Sequence, residues 1–208
     1  NINARKNTYV GYEAGKWITN EQNTAVGNQA LGGATGSTQS PYSCTAVGDR
    51  ALRVIESSGL FNTAVGADAG YSVTSGRSNT LIGQSAGDAI TTGRDNVCVG
   101  TDSGDDITTG EDNTLLGTNA GDAITTGSND IVIGNDAAAS SATVSNEITL
   151  GNTSITSLRI PGLQSGASNG QVLTYNSTNG DIEFADASGG ATEINDLSDA
   201  VTRSSGSS

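Results

Sequence analysis

The stretch NTAVG at residues 23–27 decides the fold, because it returns throughout the chain. It recurs letter for letter at 62–66 and as CTAVG at 44–48. The related pentapeptides are NTYVG (7–11), NTLIG (79–83), NVCVG (96–100), NTLLG (113–117), DIVIG (130–134) and EITLG (147–151). Their nine closing glycines are separated by 16, 21 and 18 residues and then five times by 17. A fixed period of this size predicts a solenoid, in which each repeat forms one coil and stacks on the next.

The composition of the pentapeptide favours β-coils over helical ones. Thr, Val and Ile are typical of strands, and each pentapeptide ends at a Gly where the chain must turn. The second half of a repeat, such as QSAGDAITTG (84–93), predicts a corner at Ala86-Gly87, a short strand around Ile90-Thr91 and a turn at Gly93. At about 4.8 Å per rung, the eight steps between the first and last glycines predict a shaft of roughly 38 Å.

The first position of the pentapeptide is usually Asn, as at Asn62, Asn79, Asn96 and Asn113. Stacked Asn side chains can form a ladder of amide hydrogen bonds. We therefore interpret the pentapeptide as a construction unit, in which Asn links rungs, Thr and the apolar residues form the strand, and Gly supplies the corner.

Two adjacent apolar columns predict assembly with other chains. Position four is always apolar, and position three mostly so, as in the pairs Leu81-Ile82 and Leu115-Leu116. Neighbouring side chains on a strand point to opposite faces, so one coil buries only one of the two columns. An exposed apolar stripe is rare in soluble monomers. We expect the second column to face other chains around a symmetry axis, with Leu81 and Leu115 in the inter-chain core.

Composition excludes several classes of function. The chain has 22 Asp and Glu against 9 Lys and Arg, a net charge of −13, so nucleic acid is not an expected partner. It has no His and two Cys, which excludes imidazole or thiolate metal clusters and His-based catalysis. No apolar run approaches the roughly 20 residues of a membrane span, so no membrane insertion is expected. The start at Asn1, without Met or a signal segment, indicates a fragment or processed product.

The repeat NTAVG…AG…TTG, over about residues 7–151, resembles the head repeats of trimeric autotransporter adhesins, whose strands read Ser-x-Ala-Ile-Gly. It is still more similar to repeat tracts in the tail fibres of marine and cyanobacterial phages. The resemblance implies an all-β, left-handed parallel β-roll or β-solenoid of about nine coils, trimeric and serving in attachment, on a virion or an extracellular surface. These coils are longer than the usual adhesin repeat, and phage fibre and bacterial adhesin both stay open.

The chain divides into three predicted segments. Residues 1–151 form the repeat shaft, and 152–187 form a hairpin module in which NSTNG (176–180) turns the chain between Val172 and Ile182. GQVLT hairpins of this kind are also similar to modules of phage fibres. Residues 188–208 are Gly/Ser-rich and are interpreted as a linker or tail.

The sequence offers three candidate chemistries, and each has a purely structural alternative. Asp88, Asp105 and Asp122 share one repeat position and offer oxygens to calcium, although a solvated acidic turn explains them better and no cofactor is expected. Paired carboxylates for glycoside cleavage do not stand out, so we expect no enzyme, and a polysaccharide-cleaving fibre is the rival interpretation. An ice-binding Thr array is disfavoured by the turn charges, which are better read as ion pairs between rungs, such as Arg94 with Glu111.

Cysteines and aromatics complete the predictions. Cys44 and Cys98 are three rungs apart, roughly 14 Å, so both are expected as free thiols. The coils before residue 72 carry most of the aromatics and two insertions, GGATGSTQSPY (32–42) and RALRVIESSGLF (50–61). Insertions in solenoids often form the binding face. The candidate residues for a host glycan or protein receptor are Trp17, Tyr42, Arg53 and Phe61, although the aromatics would equally cap the open end of the stack.

Overall fold

The computed structural model describes residues 6–33, 36 and 38–157, together with two strands farther along the chain, Gln171–Tyr175 and Ile182–Asp186. Contacts divide the chain into two units, Asn1–Ile155 and Thr156–Ser208. The described part is all β and contains no helix, and therefore none that could cross a membrane.

The first unit is a parallel β-solenoid of about eight turns. Each pentapeptide forms one strand of three residues, and the nine strands make a single sheet in chain order. The strands are β1 (Thr8–Val10), β2 (Thr24–Val26), β3 (Thr45–Val47), β4 (Thr63–Val65), β5 (Thr80–Ile82), β6 (Val97–Val99), β7 (Thr114–Leu116), β8 (Ile131–Ile133) and β9 (Ile148–Leu150). Equivalent positions pair without slippage, so Leu81 lies opposite Cys98 and Cys98 opposite Leu115. The coil register read from the sequence is confirmed.

The expected second strand around Ile90-Thr91 is wrong. Thr91, Thr92 and Gly93 all direct their amides at the carbonyl oxygen of Thr108, at 2.9, 3.4 and 3.4 Å. A strand spreads its donors over successive carbonyls of its neighbour, and this convergence requires a tightly bent backbone instead. Rungs are nevertheless linked here, because the Thr91 hydroxyl also donates to the Thr108 oxygen, at 3.1 Å.

The corner glycines are required by close approach between rungs. Gly83 has φ +140°, and a Cβ added to it would overlap the carbonyl oxygen of Gly100. The same relation links Gly48 to Gly66 and Gly100 to Gly117. A side chain at these positions would separate the stacked coils.

The predicted Asn ladder is confirmed and is buried. The Asn96 amide nitrogen Nδ2 donates to Oδ1 of Asn79 at 3.1 Å and to the Gly110 carbonyl at 2.8 Å. Oδ1 of Asn96 in turn accepts from the backbone N–H and from Nδ2 of Asn113, at 3.1 and 3.0 Å. Every polar atom of such a side chain is satisfied, so the ladder has no desolvation penalty left uncompensated.

Position three of each pentapeptide, which is the middle residue of its strand, points into the core, and position four does not. The buried side chains are Ala25, Ala46, Ala64, Leu81, Cys98, Leu115 and Val132. The placement of Leu81 and Leu115 between chains is therefore wrong. The side chain of Asn at position one points inward to the ladder, and strand alternation returns position three to the same side. Ile90, Ile107 and Ile124 close this core from the opposite wall.

In the second unit, β10 (Gln171–Tyr175) and β11 (Ile182–Asp186) pair antiparallel, with Leu173 opposite Phe184. The predicted turn at 176–180 and the predicted tail at 188–208 lie outside the described residues.

Candidate functional site

Two of the four candidate receptor residues line one shallow depression on the first three coils. Trp17 and Arg53 are brought together there with Glu13, Lys16 and Gln29. The Lys16 ammonium lies 5.3 Å from the centre of the Trp17 ring. The depression has a volume of only about 10 Å³, so it is a shallow surface site and not a deep pocket.

A chain of hydrogen bonds fixes the polar side of this depression. Lys16 pairs with Glu13 at 2.5 Å, and Gln29 donates to the second Glu13 oxygen at 3.0 Å. Arg53 donates from Nε to Gln29 at 3.2 Å and from Nη1 to the Gly33 carbonyl at 3.2 Å. These bonds to Lys16 and Gln29 lower the pKa of the Glu13 carboxyl. Within the described residues Arg53 makes no ion pair, so a cation faces this surface without a carboxylate partner.

Tyr42 and Phe61 form a separate aromatic pair. Their ring centroids are 6.1 Å apart and the rings are nearly perpendicular, and the Phe61 amide donates to the Tyr42 carbonyl at 3.0 Å. Phe61 is 54% exposed. Neither ring lines the depression around Trp17, so the four residues form two pairs and not one cluster.

The stacked carboxylates of Asp88, Asp105 and Asp122, here called the acidic column, lie away from both of these pairs. Burial raises the pKa of Asp88 to about 6, and repulsion from Asp105, Asp68 and Asp102 adds to the shift. Burial, followed by repulsion from Asp106, also raises the pKa of Asp105. In the described ranges no group of three or more His, Cys, Asp or Glu side chains could hold a metal ion. The expectation that no cofactor binds here, including calcium at Asp88, Asp105 and Asp122, stays a prediction.

The predicted ion pair between rungs is confirmed, since Arg94 Nη2 lies 2.7 Å from Glu111 Oε2 at an exposed position. Both cysteines are free, as predicted, and both are buried. The Cys44 thiol donates to the Gly59 carbonyl at 3.4 Å. Burial raises the pKa of Cys44 to about 11 and that of Cys98 to about 12, so both thiols are protonated and unreactive near neutral pH.

The outward face of the sheet carries most of the exposed large hydrophobic side chains among the described residues. Positions two and four of each pentapeptide point away from the core, and both are aliphatic in β6, β8 and β9, whereas β5 and β7 carry Thr at position two. We call these two columns the outer stripe, and its most exposed members are Val10, Ile82, Val97, Leu116, Ile131, Ile133, Ile148 and Leu150. The sequence analysis predicted that position three faces other chains, whereas the structure places positions two and four on this face. Counting alternate residues from the inward Asn would have identified position two instead.

No protein-family model, curated protein or solved structure matches this chain.

Proposed function

We propose that this chain is the shaft of a homotrimeric fibre that attaches to a host cell surface and carries no catalytic activity. The proposal rests on the resemblance of its repeats to those of phage tail fibres and trimeric adhesins. The observation that supports it best is the outer stripe, because Leu116 is 48% and Leu150 55% exposed on a straight, regular wall.

The outer stripe favours association of identical chains. Position four is aliphatic in every rung, so neighbouring chains in register would meet aliphatic residue against aliphatic residue along this column, and along both columns at β6, β8 and β9. Contiguous apolar surface of this kind marks interaction sites in soluble proteins. The aliphatic character is strongest in β8 and β9, where Ile131, Ile133, Ile148 and Leu150 all face outward.

The assembly is tested by measuring the mass of the native protein in solution by light scattering. We expect three times the chain mass of 20.7 kDa. The double variant Leu116→Asp/Ile133→Asp should dissociate to folded monomers, because these side chains lie on the surface of the single chain. Thr109→Asp, at an exposed position outside the strands, is the matched control and should stay trimeric. A monomeric native protein would overturn the trimer.

We place the attachment surface on the irregular early coils, around the Trp17–Arg53 depression and the Tyr42–Phe61 pair. Half-exposed aromatic rings beside Glu, Gln and Arg suit the apolar faces and hydroxyls of sugar rings. Three weak sites per trimer would act together through avidity.

Attachment is tested by binding of the trimer to host cells or to arrayed surface glycans. Replacing Trp17, Tyr42 and Phe61 by Ala, or removing residues 33–41, should reduce binding while the trimer stays folded. Tyr71→Ala is the control, since this ring is covered by Arg50 at 5.6 Å on another part of the surface. Unchanged binding by the triple variant would move the attachment site elsewhere on the fibre.

The rival function is a polysaccharide-cleaving fibre, and the observation that favours it is the raised pKa of Asp88. A carboxyl that titrates near 6 is suited to act as a general acid. Release of oligosaccharides from capsular or lipopolysaccharide fractions, abolished by Asp88→Asn, would establish this function in place of simple attachment. Phage and bacterial origin are distinguished by the neighbouring genes, structural virion genes in one case and a membrane anchor in the other.

A further inference from the structure

The amide ladder ends at a carboxyl group. Asp130 occupies the position that Asn62, Asn79, Asn96 and Asn113 occupy in the preceding rungs, and it is equally buried. Its backbone N–H donates to Oδ1 of Asn113 at 2.9 Å, and its own Oδ1 accepts from the Glu147 amide at 2.9 Å. Half of the Asp130 side chain therefore continues the ladder as an Asn would.

The other half of the carboxyl lacks a partner. Oδ2 of Asp130 is buried and makes no hydrogen bond. In the preceding rung the equivalent atom is Nδ2 of Asn113, which donates to the Gly127 carbonyl at 2.9 Å. The corresponding carbonyl for Asp130 is that of Val144, also fourteen residues downstream.

The surroundings of the two rungs match closely. A Cβ added to Gly110 would lie against the Gly127 carbonyl oxygen and 3.0 Å from Nδ2 of Asn113. A Cβ added to Gly127 would lie against the Val144 carbonyl oxygen and 2.9 Å from Oδ2 of Asp130. Oδ2 and the Val144 oxygen therefore stand where a donor and its acceptor stand one rung earlier. An ionised Oδ2 would bring two bare acceptors together in a buried place, which is costly.

We propose that Asp130 is buried as the neutral carboxylic acid, with its Oδ2–H donating to the carbonyl oxygen of Val144. A bound proton thus supplies the donor that the amide supplies in the other rungs, and it closes the last rung of the ladder. This device makes the attachment of the final coil, residues 130–151, dependent on pH.

The surroundings raise the pKa of Asp130 overall. Burial raises it most, the hydrogen bond from the Glu147 amide opposes the shift, and among the described residues Glu147 is the titratable group whose charge adds to it. Hydrogen bonding by the Ser140 side chain and by the Ser140 amide, at 2.8 Å, lowers the pKa of Glu147 and keeps it ionised, and the Thr149 hydroxyl, at 3.0 Å, adds to this. The groups on the other sides of the carboxyl, Asn113 and the turn at 127–128, are neutral.

The direction of the pH effect follows from linkage. A carboxyl whose pKa is raised by folding stabilises the fold when protonated, and this contribution declines as the pH rises through the folded pKa. The final coil is therefore held most firmly in acid and is loosened at alkaline pH. Asp130→Asn supplies the donor at every pH and should remove the dependence.

The proposal is tested on the full chain by NMR titration and by thermal unfolding. The carboxyl carbon of Asp130 should titrate well above the usual Asp value of about 3.9. Asp130→Asn should melt about 2–4 °C higher than the native protein at pH 8, and the difference should vanish below pH ~4. Asp95→Asn, which changes an exposed Asp, is the control and should show no such trend.

Two results would overturn the proposal. One is a normal or lowered titration midpoint for Asp130, together with a difference between Asp130→Asn and the native protein that does not change with pH. The other is stabilisation of the native protein, but not of Asp130→Asn, by Na⁺ or K⁺ relative to choline at equal ionic strength. That outcome would assign the gap beside Oδ2 to a metal cation and not to a proton.

Discussion

The early and late coils of the solenoid fill the same core in opposite ways. In the early coils the inward strand residue is small, as at Ala46, and the turn that follows carries a large residue, Leu52, buried against it. In the late coils the inward strand residue is large, as at Leu115, and the equivalent turn position is glycine, as at Gly121.

The turn position has a left-handed backbone in both regions. Its φ is +48° at Leu52 and +67° at Gly121. A leucine there costs about 1–2 kcal/mol in backbone strain, whereas burying its side chain returns roughly 1.5–3 kcal/mol. A Cβ on Gly121 would lie 2.8 Å from the nearer methyl of Leu115, so the late coils have no room for this solution. A buried leucine is therefore supplied by the turn in one region and by the strand in the other, and the intervening coil, with Ala64 and Gly70, has neither.

The largest expected effect concerns the feature that both regions share. Gly48→Ala and Gly100→Ala should each destabilise the protein by about 3 kcal/mol or more, because the new Cβ meets a carbonyl oxygen of the next rung at a strained φ of +141°. Chemical denaturation measures the loss, with Thr109→Ala as the control. A tolerant Gly48 beside an intolerant Gly100 would show that the early coils stack more loosely.

Gly104→Leu tests whether a late coil can hold a leucine at the turn position while the strand leucine is still present. A Cβ at this position would lie 2.6 Å from the Leu115 methyl and 3.0 Å from the Cys98 sulfur. We expect a loss of about 3 kcal/mol from overpacking and backbone strain.

Adding Leu115→Ala to Gly104→Leu removes the leucine of the next rung that the new side chain meets and should restore about half of that loss. Leu115→Ala alone should destabilise the protein by about 2–5 kcal/mol. In the double-mutant cycle the two changes together should therefore cost clearly less than the sum of the single changes. Simple additivity of the two changes would refute this competition for the same space.

The ladder differs between the regions at Cys44, which stands where later rungs have Asn. Asn96→Cys should cost about 2 kcal/mol, because the Gly110 carbonyl and the Asn113 amide lose partners. Cys44→Asn should instead stabilise by about 1 kcal/mol by joining the two parts of the ladder. Equal and small effects of both changes would mean that the thiol's bond to Gly59 replaces the amide fully.

The smallest expected effect is a pH dependence confined to the late coils. The position of Asp88 is taken by Tyr71 one coil earlier, so only the late region stacks carboxyls there. Because the folded pKa of Asp88 is raised to about 6, its protonation stabilises the fold at low pH, and this contribution is lost as the pH rises through 6. Asp88→Asn should reduce the fall in melting temperature between pH 5 and pH 7.5. An unchanged fall would assign it to other carboxyls, Asp105 or Asp130.

Much of the fold could be predicted from the sequence, because the repeat is local and periodic. The strand positions, the glycine corners, the rung-to-rung register and the Asn ladder all follow from nine aligned pentapeptides. The contact between Arg94 and Glu111 also follows, since it joins equivalent positions one period apart.

The direction of the apolar columns was mispredicted although the signal was present. Both Leu81 and Ile82 are apolar, and hydrophobicity does not tell which of the two faces the core. The buried Asn79 two positions before Leu81 does, through strand alternation. The second strand at Ile90-Thr91 failed for a different reason, since convergence of three amides on the Thr108 oxygen depends on how neighbouring coils stack.

The candidate residues could be predicted from the sequence, but their arrangement in space could not. Composition and insertions picked out Trp17, Tyr42, Arg53 and Phe61, but their division into two pairs depends on the irregular second coil, whose 21 residues exceed the 17-residue period of the later coils. Repetition along the chain by itself determined the stacking direction, the corners and the ladder, since each depends on equivalent residues meeting. Only the tertiary structure decided which side chains compete for the same space and which surface residues become neighbours, because those contacts join positions that no period relates.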